Sequence, residues 1–147
     1  MTKYQNILVA VDGSKEAQRA LVKAADMAVG NGAHLIIAHV VDAALYLPVE
    51  QYRDAITAGT EKYGRELLER YEKEAKQFGV ENVSTVLKTG SPKAEIPGKI
   101  AAEYEADLIV VGATGLNAIE RFFLGSVSEA IIRHAPCDVL VIRSERS

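Results

Sequence analysis

The chain has 147 residues, 48% of them hydrophobic and 25% charged, and it carries a formal net charge of −3 at pH 7. These values are typical of one globular domain, residues 1–147, with room for a hydrophobic core. The slightly acidic balance argues against nucleic-acid binding, and no apolar run approaches the roughly 20 residues that cross a membrane. Because Cys137 is the one cysteine, an intramolecular disulfide is impossible, and we expect a cytoplasmic protein.

The first predicted strand, residues 7–11, is a short apolar run of the kind that lies buried on both faces of a parallel sheet. Ser14 follows as the predicted N-cap of a helix, in which alanines and Leu21 recur at helical spacing. The Gly-Asn-Gly sequence at residues 30–32 is typical of a helix end. A second strand is predicted at residues 34–40.

The next segment, residues 41–60, combines Pro48 and Gly59 with no steady periodicity, and we expect a loop with irregular helix there. A clearer helix follows and ends at Gly79. Its predicted buried face consists of Tyr63, Leu67, Tyr71, Ala75 and Phe78. A third strand is predicted at residues 82–87.

Ser91 and Pro92 open another helix as its cap and first residue, and the pair Pro97-Gly98 inside it predicts a kink or a late start. The remaining elements are a fourth strand, a last helix and a fifth strand, at residues 108–111, 126–134 and 139–142. Five short strands alternating with helices predict an α/β fold, a single doubly wound parallel sheet with helices on both faces.

Ligands of such sheets bind beyond the carboxyl ends of the strands, where the strand order reverses. In this chain Asp12 follows the first strand, Asp42 follows the second, and a glycine-containing loop begins at Gly112 after the fourth. If the first and fourth strands are neighbours, Asp12 and Gly112 face the same crevice. Asp12 also has a simpler alternative role, as a turn-forming residue before Gly13.

The loop after the fourth strand contains Gly112, Gly115 and the pair Gly125-Ser126 ahead of a helix. Such a loop collects free main-chain N–H groups at a helix N-terminus, where the partial positive charge favours a phosphate. Glycines there allow phosphate oxygens to approach the backbone closely. The alternative is a Ser-x-x-Glu capping box, in which Ser126 and Glu129 satisfy the helix N–H groups without a ligand.

The chain resembles the universal stress protein family over nearly its whole length. The resemblance rests on residues 7–14, 38–40, 107–112 and 125–142. The ATP-binding branch of that family carries a Gly-x2-Gly-x9-Gly-(Ser/Thr) motif, and both of its spacings occur here. The matching residues are Gly112, Gly115, Gly125 and Ser126. The resemblance implies a strand order of 3-2-1-4-5 and an ATP- or AMP-binding protein that acts as a nucleotide-responsive switch in the stress response.

The resemblance also implies a role for each matching position. Asp12 is expected to hydrogen-bond the ribose with Ala10 beside it, and the main chain of Val40 is expected to clamp the adenine. The phosphates are expected to be held by main-chain N–H and hydroxyl groups from two halves of the motif. The first half consists of Val111, Gly112 and Gly115, and the second of Gly125, Ser126, Val127 and Ser128. Mg²⁺ is expected to bind through the nucleotide phosphates.

Two positions depart from the family pattern. Thr114 stands where many members have a basic residue or histidine, and Asn117 stands where a further glycine is common. His34, His39 and His134 are not at metal-ligand spacing, so we assign them structural roles and expect no metal site made of protein side chains.

Signatures of catalysis are missing from the sequence. It contains no Gly-x4-Gly-Lys-(Ser/Thr) loop, and therefore no lysine placed to stabilise a transferring phosphoryl group. It also contains no Gly-x-Ser-x-Gly nucleophile elbow. We therefore predict a binding protein and not an enzyme. The alternatives are slow ATP hydrolysis, for which Arg121 is the nearby cation, adenylate formation on the same fold, or a nucleotide-free structural dimer.

The fifth strand falls at a sheet edge in the family's strand order. Residues 138–142 contain no proline or lysine that would block pairing, so their free N–H and C=O groups invite another chain. We expect a homodimer through residues 138–142, formed by antiparallel pairing of the two copies about a two-fold axis.

Overall fold

The computed structural model describes residues 3–42, 50–114 and 124–143, with side chains throughout these ranges except at residues 50–59. Its strands are β1 (Asn6–Ala10), β2 (His34–Asp42), β3 (Val83–Gly90), β4 (Leu108–Gly112) and β5 (Asp138–Ile142). They form one sheet of parallel neighbours in the order β3-β2-β1-β4-β5. The predicted doubly wound α/β fold and the expected strand order are confirmed.

Helices cover both faces of this sheet. They are α1 (Lys15–Asn31), α2 (Glu50–Phe78), α3 (Pro92–Ala94), α4 (Ala101–Glu103) and α5 (Ser126–His134), and a π-helical turn, Glu95–Ile100, joins α3 to α4. Residues of α1 and α2 pack into a core cluster on one face, and residues of the π-helical turn, α4 and α5 pack into a second cluster on the other. None of the helices in the described ranges combines the length and the apolar character that crossing a membrane requires.

The central strand β1 is buried from both sides. Ile7, Leu8 and Val9 are each fully inaccessible to solvent. Because successive side chains of a strand point to opposite faces, Ile7 and Val9 pack with α1 and α2, while Leu8 packs in the second cluster. This two-sided burial explains why the strands appear in the sequence as continuous apolar runs.

The strand order reverses between β1 and β4. The chain moves outward from β1 through β2 to β3, and it then returns to place β4 on the other side of β1. Ala10 pairs with Ala38 of β2, and Val9 pairs with Val110 of β4. The carboxyl ends of three strands therefore meet at one edge, where ligands of doubly wound sheets bind.

Both predicted ends of α1 are confirmed. Ser14 is the N-cap, and its side-chain oxygen accepts a hydrogen bond from the Ala17 N–H at 3.1 Å. Gly32 ends the helix in the left-handed conformation with φ of 63°, and its N–H is directed to the carbonyls of Ala28 and Val29.

The start of α2 differs from the prediction. A loop with irregular helix is expected at residues 41–60. Residues 41 and 42 instead extend β2, a regular helix begins at Glu50 and runs for 29 residues, and residues 43–49 lie outside the described residues. Gly59 weakens the local signal, yet a single glycine inside a helix costs only about 1 kcal/mol. Extending an existing helix is far easier than nucleating one, so the well-packed later turns carry the helix back through this stretch.

The buried face of α2 is shorter than predicted. Leu67, Tyr71 and Ala75 are buried, but Tyr63 and Phe78 are 47% and 45% exposed. With 29 residues the helix is about 44 Å long, whereas the nine-residue β2 spans about 30 Å. The helix is therefore longer than the sheet is deep, and among its described side chains the buried ones lie between Leu67 and Ala75.

The irregularity predicted at Pro97-Gly98 takes the form of the π-helical turn. Pro97 has no N–H to donate, and its ring clashes with the preceding turn of a regular α-helix. The wider π-helical turn accommodates the proline, and Ile96 and Ile100 on either side of it remain buried in the second cluster.

Two glycines at the end of α1 provide a matched pair of substitutions. Gly32→Ala should lower the free energy of unfolding by about 1–2 kcal/mol, because a Cβ is strained in the left-handed conformation. Gly30→Ala should raise it by up to about 1 kcal/mol, because Gly30 lies within the helix. In the described structure a Cβ at either position meets no atom within 4 Å, so packing does not contribute. Urea denaturation measures both changes, and shifts of the same sign would contradict the backbone explanation.

Candidate functional site

The residues predicted to bind the nucleoside lie at the carboxyl ends of neighbouring strands. Ala10 is the last residue of β1, Asp12 follows two residues later, and Val40 lies near the end of β2. On the other side of β1, Val111 and Gly112 end β4. β1 and β4 are neighbours in the sheet, as a shared crevice requires. The candidate residues described so far therefore lie at one edge of the sheet.

Two hydrogen bonds join the separate halves of the glycine motif. The Gly125 N–H donates to the Ala113 carbonyl at 2.7 Å, and the buried Ser128 hydroxyl donates to the Gly112 carbonyl at 2.6 Å. The N-terminus of α5 is thereby held against the end of β4. Gly115 lies outside the described residues, as do Asn117 and Arg121 within residues 115–123.

Within the part of the chain that the structure describes, the N-terminus of α5 has no side-chain cap. Gly125 occupies the N-cap position, and the first hydrogen bond of the helix runs from the Glu129 N–H to the Gly125 carbonyl at 2.9 Å. The three preceding N–H groups, at residues 126–128, therefore lie in the first turn, where a helix has no acceptor of its own. They carry the partial positive charge of the helix terminus.

The capping-box alternative is wrong for this helix. Ser126 is the first helical residue and not the N-cap, so its exposed hydroxyl does not satisfy the first turn. The Glu129 carboxylate instead pairs with Arg133 one turn later, at 2.9 Å. The described residues thus supply no side-chain acceptor to the first turn of α5.

Packing within the protein requires glycine at one position of the motif and favours it at a second. A Cβ on Gly112 would lie 2.7 Å from the Glu16 Cβ and 3.2 Å from the Glu16 carbonyl carbon, so α1 could not keep its position. A Cβ on Gly125 would lie 3.2 Å from the Ala113 carbonyl oxygen. These two glycines are explained by close contact between elements, and they are not in themselves evidence for a phosphate.

The Thr114 hydroxyl independently indicates that this site has room for a further polar group. Thr114 is 7% exposed, and its buried Oγ1 atom has no hydrogen-bond partner within the described part of the chain. Leaving a buried hydroxyl unsatisfied costs about 1–3 kcal/mol, and native structures supply partners for most such groups. Thr114 lies within the first half of the motif, and its Cα is 3.5 Å from where a Cβ on Gly125, in the second half, would be. The residues present therefore fit an additional polar group, such as a phosphate oxygen or a water.

The sequence pattern does not indicate a role for the Thr114 hydroxyl, because Thr114 is notable there only as a departure from the family pattern. The available signal was its position, because it is a hydroxyl residue two positions after a fully buried strand. Its burial depends on tertiary packing, including the approach of Gly125, which no local pattern reveals.

Asp12 forms a turn around Gly13, which is the simpler of its two expected roles. Its Oδ1 accepts a hydrogen bond from the Ser14 N–H at 2.9 Å, which closes an Asx turn around Gly13. Gly13 has φ of 88°, a conformation suited to glycine. Among the described residues no donor reaches the second oxygen, Oδ2. The turn thus fixes the carboxylate while leaving one of its oxygens to the crevice.

A buried tyrosine lies beneath this turn. Burial raises the pKa of Tyr71 to about 12, and the negative charge of Asp12 adds to the increase, while the main chain of Gly13 and the charge of Arg70 oppose it. Tyr71 is therefore a neutral phenol at physiological pH, and Asp12 keeps a neutral neighbour. Because an unfolded tyrosine ionises near pH 10, this environment favours folding below that pH and loses its contribution as pH rises towards 12.

The three histidines lie apart from one another. His34 Nε2 hydrogen-bonds Ser84 Oγ at 2.7 Å, and its burial lowers its pKa. His39 Nδ1 hydrogen-bonds the Val11 carbonyl at 2.8 Å, and His134 is exposed in the last turn of α5. Over residues 3–42, 50–114 and 124–143, no three His, Cys, Asp or Glu side chains form a group that could hold a metal ion.

Similarity to known sequences points to one family. The model of the universal stress protein family matches residues 3–143 of this chain. A protein of Staphylococcus haemolyticus, provisionally named a universal stress protein, is 52% identical over 145 residues, which cover 99% of this chain and 88% of that protein.

Solved structures give the same result. The universal stress protein UspA from Lactobacillus plantarum superposes with a TM-score of 0.89 at 33% identity, covering 97% of this chain and 100% of that one. A universal stress protein in complex with cAMP gives 0.70 at 30% identity, covering 98% and 100%. The universal stress protein from Archaeoglobus fulgidus in complex with dAMP gives 0.69 at 28% identity, covering 97% and 100%.

Two serines at helix starts test whether α5 lacks a cap. Ser14→Ala should lower the free energy of unfolding by about 1 kcal/mol, because the Ser14 side chain accepts from the Ala17 N–H. Ser126→Ala should change it by less than about 0.5 kcal/mol, because Ser126 is exposed and caps nothing. Urea denaturation of both variants measures the difference. A similar loss in both would restore the capping box.

Proposed function

The chain belongs to the universal stress protein family, and from this premise we propose that it binds an adenine nucleotide, ATP or AMP, and acts as a nucleotide-responsive regulatory protein in the stress response. The observation that carries the proposal is the uncapped N-terminus of α5, held against the end of β4. Family structures in complex with cAMP and with dAMP support an adenine nucleotide. The expected cytoplasmic location is part of the same proposal.

The phosphates bind at the start of α5 in this proposal. The main-chain N–H groups of Ser126, Val127 and Ser128 lie in the first turn, and an anion gains from the positive end of the helix. The exposed Ser126 hydroxyl is available to donate as well. Gly125 places this turn beside Thr114, whose buried hydroxyl needs a partner. The proposal also assigns Gly115 to the phosphate path.

The nucleoside lies across the ends of β1 and β2. Asp12 offers Oδ2 to the ribose hydroxyls, because Oδ1 is already occupied by the Ser14 N–H. A hydrogen bond to a carboxylate is roughly twice as strong as one between neutral groups. The main chain of Val40 contacts the adenine, while Ala10 and Val111, at the ends of β1 and β4, line the floor of the crevice.

Mg²⁺ accompanies ATP in this proposal, bound through the phosphate oxygens. Mg²⁺ is commonly held by substrate phosphates and water together with one or two carboxylates. With a monophosphate the cation is not needed for binding. The complexes with cAMP and dAMP contain nucleotides with one phosphate each, which suits a site that recognises the nucleoside and the first phosphate.

The site is connected to the edge strand of the sheet, because β4 pairs with β5 along its length and one further hydrogen bond continues the pairing. The Ala113 N–H, in the loop after β4, donates to the Ile142 carbonyl at the end of β5 at 2.8 Å. β5 is the outer strand of the sheet, and its apolar side chains are half-buried. In a homodimer formed through residues 138–142, the interface strand would therefore be bonded directly to the loop after β4. Nucleotide binding at that loop would affect the dimer interface through this bond, which is the proposed basis of regulation.

Asp12→Asn and Asp12→Ala separate ligand binding from turn formation. Asparagine keeps an oxygen for the Ser14 N–H but removes the charge, so the turn should persist while ATP and AMP affinity falls at least fivefold, about 1 kcal/mol. Alanine removes both, and should reduce affinity further with some loss of stability. Isothermal titration calorimetry measures affinity, and urea denaturation measures stability. Unchanged affinity in both variants would remove Asp12 from the site.

The alternative functions predict different results for the unmodified protein with ATP. A nucleotide-free structural dimer predicts no heat of binding for the unmodified protein. An ATP-hydrolysing or adenylate-forming enzyme predicts release of phosphate or pyrophosphate, and turnover of about 1 per second or faster lies in the range of ordinary enzymes. We expect binding with turnover well below that rate.

Val141→Lys tests the proposed dimer through β5. The charged side chain in the middle of the edge strand should weaken strand pairing between copies, lowering dimer affinity at least tenfold. Val29→Lys is the control, because Val29 is 47% exposed on α1 and lies beside Gly79, after the end of α2. Sedimentation velocity at micromolar concentration should show a dimer for the unmodified protein and the control. A monomeric unmodified protein would contradict the dimer.

A further inference from the structure

The parallel pairing of β1 with β2 ends at Val11. The Val11 N–H donates to the Ala38 carbonyl at 2.9 Å, so the polar groups of Ala38 point towards β1. Alternate residues of a strand direct their main-chain groups to the same neighbouring strand. The N–H and C=O of Val40, two residues later, therefore also point to the β1 side. In a continued ladder, the Val40 N–H would donate to the Val11 carbonyl.

A side chain takes the place of that ladder bond. In the described structure the Val11 carbonyl accepts from His39 Nδ1 at 2.8 Å, and no main-chain bond joins Val40 to Val11. A carbonyl oxygen only accepts, so the Nδ1 atom carries the hydrogen, a tautomer assigned from its partner. His39 thus satisfies the last carbonyl of β1 before the chain turns away at Asp12.

The imidazole is held in place from the other side by α2. Side chains alternate along β2, and Leu35 and Ile37 lie in the cluster beneath α1 and α2, so His39 is directed to that face. A Cβ on Gly64 of α2 would lie 3.0 Å from His39 Cδ2, which places the backbone of α2 directly against the ring. The ring therefore has little freedom to leave the Val11 carbonyl.

We propose that His39 is a positioning residue that keeps the main chain of Val40 open to the adenine base. By bonding the Val11 carbonyl, His39 leaves the Val40 N–H and C=O directed into the space beyond the end of β1. A donor and an acceptor at that place match adenine, which presents a ring nitrogen acceptor beside an amino donor. Hypoxanthine, with a carbonyl acceptor beside a ring N–H donor, opposes both groups.

The arrangement links the two nucleoside contacts of the proposed function, on which this inference rests. Val11 directly precedes Asp12, and His39 directly precedes Val40. The His39–Val11 bond therefore fixes the spacing between the residue assigned to the ribose and the residue assigned to the base. Removal of the bond should allow the Val40 N–H to pair with the Val11 carbonyl, which closes the base site.

Two variants test the role of the Nδ1–H donor. His39→Leu removes the donor and should lower AMP affinity at least tenfold, about 1.4 kcal/mol. His39→Asn places an amide N–H close to the position of Nδ1 and should keep affinity within threefold of the unmodified protein. Calorimetry with AMP and with inosine monophosphate gives the preference for adenine, which should fall in His39→Leu and persist in His39→Asn. A purely structural role would weaken both ligands equally, and equal weakening would overturn the inference.

An NMR measurement decides the same point without ligand. Scalar coupling across hydrogen bonds should connect His39 Nδ1 with the Val11 carbonyl carbon in the unmodified protein. In His39→Leu it should instead connect the Val40 amide nitrogen with that carbon. A Val40–Val11 coupling already present in the unmodified protein would overturn the inference. If the unmodified protein binds no AMP, the proposed function fails, and these couplings still judge the role of His39.

Discussion

The position of α5 depends on two hydrogen bonds to the end of β4. The Gly125 N–H and the Ser128 hydroxyl donate to successive carbonyls, those of Ala113 and Gly112. The Ser128 bond is buried and short, so the helix cannot retreat without leaving a carbonyl unsatisfied. The same bonds that complete the fold place the first turn of α5 beside the end of β4, so the proposed phosphate site follows from how the last helix is attached.

Gly112 shows how closely fold and site are coupled. Its missing side chain allows the first turn of α1, at Glu16, to lie against the end of β4. That contact brings the Asx turn of Asp12, at the start of α1, close to the end of β4. A larger residue at Gly112 would therefore move the two parts of the proposed site apart, even without touching a ligand. Packing alone is sufficient to require glycine here.

Local signals in the sequence were sufficient for most of the fold. The apolar strands, the Ser14 cap and the Gly32 terminus are each set by residues within one turn or one strand, and all of them were predicted correctly. The start of α2 was not, because helix extension through Gly59 depends on packing further along. The strand order came from resemblance to a family, since periodicity alone does not decide which strands are neighbours.

The candidate site was predictable to a smaller degree. The sequence indicated which segments meet, but it suggested a Ser126–Glu129 capping box that the structure replaces with a Glu129–Arg133 pair. The unsatisfied Thr114 hydroxyl and the His39–Val11 bond depend on tertiary contacts and left no motif. The most direct test of nucleotide binding is the amide chemical shift of residues 126–128 as AMP is added to the unmodified protein. Binding at α5 should move these amides downfield, and unchanged shifts at residues 126–128 with AMP bound would contradict this account.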